Sequence, residues 1–160
     1  MLQQPEENGG VVGRLARLGL VLPEPTRPLA AYVPVAPYGP WIFVAGQLPM
    51  VEGRVAYVGR VGKDLDLQAG REAARTCALM ILAQLAALGP LEDFRLLKVT
   101  GFVAAGADFT QHPEVMDAAS EFFLEVLGEH GRHARAAVGV VSLPRGAAVE
   151  VEAVAVRISG

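Results

Sequence analysis

The stretch RHARAAVGVVSLPRGAAVEVEAVAVRI, residues 132 to 158, holds two apolar runs joined by Leu143-Pro144-Arg145-Gly146. Valine-rich runs bounded by proline and glycine read as strands, so 135–142 and 147–158 are expected to close the chain as a hairpin across that turn. Charge interrupts both runs: Arg135 opens the first, and Glu150 and Glu152 lie inside the second. Side chains alternate along a strand, so the two glutamates share one face. On pattern alone Arg135 is a solvated arginine at a strand boundary, and the glutamates sit on an edge or an open face. The surrounding AAVEVEAVAV is apolar on both sides, however, and at least one carboxylate there needs a partner. A guanidinium at a strand end can grip a carboxylate with two hydrogen bonds, and a partly buried carboxylate can hold water or move a proton.

Working outward, HPEVMDAASEFFLEVLG (112–128) has a helical stripe of Val115, Ala119, Phe122 or Phe123, and Val126, with Pro113 suited to the first turn and Gly128 to the exit. FRLLKVTGFVAAG (94–106) reads as a long strand. From Asp66 to Leu88 a second helix is expected, with Asp66 as its cap, Gly89-Pro90 as its stop, and Ala74, Cys77, Ile81, Leu85 and Leu88 facing inward. WIFVAGQLPM (41–50) reads as a strand ending at Gly46, followed by a turn at Glu52-Gly53 and a short return strand. The six prolines of 23–40 forbid helix and favour extended, edge or turn structure. In VVGRLARLGLVL (11–22), Val12, Leu15, Leu18 and Leu22 recur at helical spacing, which predicts a short amphipathic helix. Residues 1–10 read as a flexible start. The expected organisation is an N-terminal extension over 1–24 and one domain over 25–160.

Alternating strands and helices in this order predict an α+β domain, with two helices on one face of a mixed sheet. Two helices cover one face only, so the other is expected to be buried by a second copy of the chain. The chain has 160 residues, long enough for one domain with its own core, and 52% of them are hydrophobic. Net charge is −3 without a basic block, which argues against nucleic acid or an anionic membrane as partner. The single cysteine, Cys77, excludes an internal disulfide and fits a reducing, cytoplasmic setting. The polar start MLQQPEENGG does not read as a signal peptide, and no apolar run is long enough for a bilayer.

Other chemistry is weaker. His112, His130 and His133 lack a matching cysteine or carboxylate cluster, so no metal site is expected. Cys77 falls on an apolar stripe and reads as a core residue. GRVGKDLDL lacks phosphate-loop spacing.

FVAGQLP (43–49), with Tyr32, KVTGFV (98–103), ADF (107–109), HAR (133–135) and LPRGAAVEVEAVAV (143–156), resembles the family called YjgF, UK114 or Rid, which includes reactive-intermediate deaminases. The motifs occur in order over roughly residues 25 to 158, and the extension and the VEGRVAYVGRVGKDL segment resemble a longer branch. The resemblance implies a chorismate-mutase-like α+β fold and a homotrimer whose open sheet faces form a central barrel, with clefts at the subunit seams. It implies that Arg135 binds the substrate carboxylate and that Glu150 orients the hydrolytic water. Tyr32, Gly46 and the Ala137 carbonyl complete the cleft. The implied reaction is hydrolysis of a 2-imino or enamine acid to a 2-keto acid and ammonia, with no metal or cofactor. This chain departs from the pattern at Ala45, where the family has serine, and at Ala136 and Ala137. Asp117 and Ser120 are poor matches to its second-helix Asn and Tyr. The alternatives are a non-catalytic trimer that binds a small carboxylate, and an endoribonuclease, which the acidic charge disfavours.

Overall fold

A computed structural model describes residues 9–27 and 30–159; of the expected flexible start over 1–10, residues 1–8 lie outside them, whereas Gly9 caps and Gly10 opens a helix. In chain order the elements are α1 (Gly10–Arg17), β1 (Val35–Tyr38), β2 (Trp41–Gln47), β3 (Met50–Val51), β4 (Arg54–Val55), α2 (Leu67–Ala86), β5 (Phe94–Ala104), α3 (His112–Leu127), β6 (Ala134–Val140) and β7 (Val149–Arg157). Five strands form one mixed sheet in the order β1-β2-β7-β5-β6, and β3 and β4 form a separate short ribbon. All neighbours in the large sheet are antiparallel except β5 and β6, which α3 connects in parallel.

α2 and α3 cover one face of the sheet and pack on each other. The α2 stripe is small where the helix meets its neighbours: Ala73, Ala74, Cys77 and Ala78 are fully buried, with Ile81, Leu82 and Leu85 beyond them. Asp66 caps the helix by accepting from the Ala69 amide at 2.8 Å. α3 contributes Phe122 and Phe123, fully buried together with Phe94 of β5. Burying each ring contributes roughly 2–3 kcal/mol against the chain's conformational entropy. Gly101 of β5 lets α3 come close, because a Cβ there would collide with the thioether of Met116.

Two expectations are corrected. The two closing runs form strands but not a hairpin: β6 pairs with β5 from one side, and β7 pairs with β5 from the other. The Pro144–Gly146 turn therefore bridges the width of β5, roughly 10 Å, which residues 141–148 span easily. Proline-glycine turn chemistry suits an arch as well as a hairpin. The first helix is real but shorter and differently phased. It ends at Arg17, it buries Val11 and Leu15, and Val12 is 76% exposed. Docking decides that phase. The Val11 amide donates to the Glu92 carboxylate at 2.9 Å, and the Arg14 guanidinium donates to the Val126 carbonyl at 2.6 Å, so α1 lies against the end of α3.

The opposite sheet face has no helix. Trp41 and Phe43 of β2 and Val138 of β6 are exposed there, beside Phe102, Glu150 and Glu152. Among the described residues no helix is long and apolar enough to cross a membrane.

Candidate functional site

β6 carries Arg135 opposite Val99 of β5, and β7 carries Glu150 opposite Phe102. Val99 and Phe102 are three apart on one strand, so they point to opposite sides of the sheet. Within one subunit Arg135 and Glu150 therefore occupy opposite faces.

Arg135 points toward α3. Its guanidinium donates to Asp117 Oδ1 at 2.9 Å, to Ser120 Oγ at 3.2 Å and to the Pro113 carbonyl at 3.4 Å. Ser120 in turn lies 2.9 Å from Nε2 of His133, whose Nδ1 is 2.6 Å from the Gly131 carbonyl. A carbonyl only accepts, so Nδ1 carries the imidazole proton and Nε2 accepts from the Ser120 hydroxyl. The serine oxygen is then left to receive Arg135. Burial lowers the His133 pKa, aided by the Arg135 charge and opposed by the bond to Gly131, so the ring is neutral at pH 7. The Phe123 ring stands edge-on to it, with centroids 5.7 Å apart.

On the other face, burial raises the Glu150 pKa, with the neighbouring Glu152 charge as the second cause. Glu150 lies against Gly46: a Cβ at position 46 would collide with the glutamate carboxylate. Gly46 also lines a cleft of about 330 Å³ with Thr26, Arg27, Tyr32, Gln47 and Arg145. Of the residues expected to act together, Tyr32, Gly46 and Glu150 are thus brought to one place. Arg135 and Ala137 stand apart on β6, with Ala137 paired to Gly101 over the helical layer.

Two features of this cleft escaped the reading of the sequence. A polar cluster is buried behind it: Gln84 of α2 and Gln47 of β2 are 2% and 4% exposed. Gln84 Nε2 donates to Thr26 Oγ1 at 2.9 Å and to the Thr26 carbonyl at 3.2 Å, and Gln47 Nε2 donates to the Ala45 carbonyl at 3.0 Å. These bonds hold the proline-rich segment against the sheet. The other feature is Arg145, whose backbone is left-handed (φ 57°, ψ 20°). That conformation costs a residue with a Cβ about 1–3 kcal/mol and persists only where neighbours enforce it. Here the Gly59 amide donates to the Gly146 carbonyl at 2.9 Å, and the Ala148 amide donates to the Tyr57 carbonyl at 2.9 Å.

Cys77 is buried and its thiol pKa is raised, by burial first, so it is no nucleophile. Among the described residues no three His, Cys, Asp or Glu side chains converge as metal ligands do.

The fold and cleft define a class: an α+β domain with a mixed sheet, helices on one face and a cleft bordering the open one. A family model described as "YjgF/chorismate_mutase-like, putative endoribonuclease" matches residues 12–154. The chain belongs to this YjgF/chorismate-mutase-like family. It is 43% identical over 149 residues to Protein TCP17 of Trypanosoma cruzi, a match covering 91% of this chain and 93% of that one. Among solved structures, Atu1372 of Agrobacterium tumefaciens, a protein of unknown function, is 45% identical with a TM-score of 0.86, covering 92% of each chain. A protein of Shewanella oneidensis MR-1 described as a putative endoribonuclease is 31% identical with a TM-score of 0.89, covering 92% of this chain and 99% of that one.

Proposed function

We propose that this protein hydrolyses reactive 2-imino or enamine acids to 2-keto acids and ammonia, at clefts between the subunits of a cytoplasmic homotrimer. The observation that carries the reading is Glu150: a half-buried carboxylate of raised pKa beside Gly46 and Tyr32, with no cation paired to it among the described residues. A site that only held a carboxylate ligand has no use for a second negative group there, whereas hydrolysis has.

In this mechanism Arg135 fixes the substrate carboxylate. Glu150 accepts a proton from water as the oxygen bonds to C2 of the iminium ion. The proton then passes to the nitrogen of the tetrahedral adduct, and ammonia leaves as the C2–O double bond forms and the Glu150 carboxylate takes up the remaining hydroxyl proton. Iminium ions hydrolyse in water unaided, so positioning and one proton relay suffice. Because Arg135 and Glu150 lie on opposite faces of one sheet, the substrate has to cross a seam, with Arg135 from one subunit and Tyr32, Gly46 and Glu150 from the next. The apolar residues on the open sheet face support a trimer with a central barrel. Sedimentation should give a trimer, and a clean monomer would remove the composite site.

Ammonia and keto-acid release from a freshly generated 2-imino acid tests the activity. Wild type should accelerate it, and Arg135→Ala and Glu150→Gln should each lose the acceleration. A raised Glu150 pKa means that the base is lost as pH falls through a value above the ordinary glutamate one, so the rate should fall there. A wild type no faster than buffer across several imino acids would sink the reading. One observation favours the rival, a non-catalytic carboxylate binder: Arg135 is already engaged by Asp117 and Ser120. That rival predicts ligand binding with no rate. An endoribonuclease is disfavoured by the net charge of −3.

A further inference from the structure

The Tyr32–Gly46 cleft contains two arginines that the proposed hydrolysis leaves unused. Arg27 enters from the proline-rich segment and Arg145 from the turn before β7, and both line the cleft. Among the described residues neither makes a hydrogen bond or an ion pair; Glu150, against Gly46, is the acid beside the cleft and is paired with neither. Two unpaired guanidinium groups line one concavity of a chain whose net charge is negative. They create a local positive potential that selects anions.

The backbone at Arg145 adds an independent observation. Its left-handed conformation suits glycine or asparagine better than arginine. The turn is fixed from outside by an isolated bridge between Val58 and Ala147 and by the bond from the Gly59 amide to the Gly146 carbonyl. The side chain thus leaves from a rigid base into the cleft.

We propose that Arg27 and Arg145 bind a second acid group on the substrate, so that the protein prefers 2-imino dicarboxylic acids over monocarboxylic ones. This rests on the deaminase reading for the reaction, with Arg135 holding the carboxylate next to the imine carbon. Arg27 and Arg145 hold the distal carboxylate, which two guanidinium forks can grip with charge-assisted hydrogen bonds. They act as specificity residues and take no part in the chemical step.

Calorimetric titration of the full chain with 2-oxoglutarate and with 2-oxopentanoate tests the proposal. The two keto acids share a five-carbon chain and differ in the distal carboxylate. Wild type should bind 2-oxoglutarate about tenfold or more tightly than 2-oxopentanoate, the scale of a charge-assisted hydrogen bond. Arg145→Asn, Arg27→Gln and the double variant should lose that preference while keeping their affinity for 2-oxopentanoate. Asparagine tolerates the left-handed backbone, so Arg145→Asn should melt no lower than wild type. The preference should also shrink as salt rises from 50 to 300 mM. Equal affinities in wild type, a preference that survives in the double variant, or no binding of either acid would overturn the proposal. Ammonia release from 2-iminopentanoate separates the two readings. Acceleration without a dicarboxylate preference discards the distal-acid site and keeps the deaminase. An arginine-dependent preference without acceleration keeps the anion site and discards the deaminase.

Discussion

The substitution Gln84→Leu removes the amide that ties Thr26 to helix α2. Gln84 is 2% exposed, and leucine is close to it in volume, so the change is one of polarity. The amide donates to Thr26 Oγ1 at 2.9 Å and to the Thr26 carbonyl at 3.2 Å, with Gln47 Oε1 a weaker third acceptor at 3.4 Å. Losing two neutral hydrogen bonds costs about 1 kcal/mol net for each, and an acceptor left buried without a donor costs roughly 1–3 kcal/mol more. Better burial of the leucine side chain returns about 1 kcal/mol. The expected destabilisation is about 2–4 kcal/mol. With a urea slope of roughly 2 kcal/mol per M for a chain of this size, the unfolding midpoint should fall by about 1–2 M. Circular dichroism at one fixed protein concentration is the assay, since association would otherwise shift the midpoint. Thr26 lines the cleft, so keto-acid affinity should fall as well. A midpoint within about 0.2 M of wild type, or a lowered midpoint with unchanged affinity, would refute the claim that this buried amide holds the cleft wall.

His133 has a lowered pKa in the folded state, so the unfolded chain takes up its proton first as pH falls. Its contribution is complete above about pH 6.5, the unfolded value, and is lost as pH falls through the folded one. Urea midpoints between pH 7.5 and 5 should drop more steeply for wild type than for His133→Gln, and equal slopes would contradict the assignment. Gly101→Ala drives a methyl group into Met116 and should cost about 1–3 kcal/mol. Met116→Ala made on top should recover part of that, and additive effects in the double-mutant cycle would show that the two side chains do not meet.

Strong periodicity made most of the fold legible. β2, α2, β5 and α3 lie where the repeat of two or of 3.6 residues puts them, because long segments leave one choice of buried face. α1 failed in phase because Val11 and Val12 are adjacent and equally apolar. Contact with α3 picks one, and a helix of eight residues carries too little pattern to show which. Strand pairing was illegible for a related reason. Nothing local in 132–158 says that β5 will stand between the two runs. At the site, the nearness of Gly46 to Glu150 comes from β2 and β7 pairing across 104 residues of chain, and only the family likeness pointed to it in advance. Gln84 did leave a signal, since it falls within the apolar surface of α2, where a polar side chain needs a partner. Arg27 and Arg145 left none, because arginines in proline-rich loops and turns are ordinarily solvated.

The register of β5 explains how one chain can carry both the arginine proposed for binding and the glutamate proposed for catalysis without the two pairing with each other. On one face, at hydrogen-bonding distance, the two would form an ion pair. The glutamate pKa would then fall as its cation approached. Arg135 instead pairs with Val99 and Glu150 with Phe102, and that odd separation puts the sheet between them. Asp117 and Ser120 hold the arginine from α3, while burial raises the glutamate pKa on the open face. A slip of β6 by one residue against β5 would move Arg135 onto the glutamate face. The bonds from Arg135 to α3 and the close approach of His112 to Gly139, where a Cβ would collide with the ring, oppose that slip.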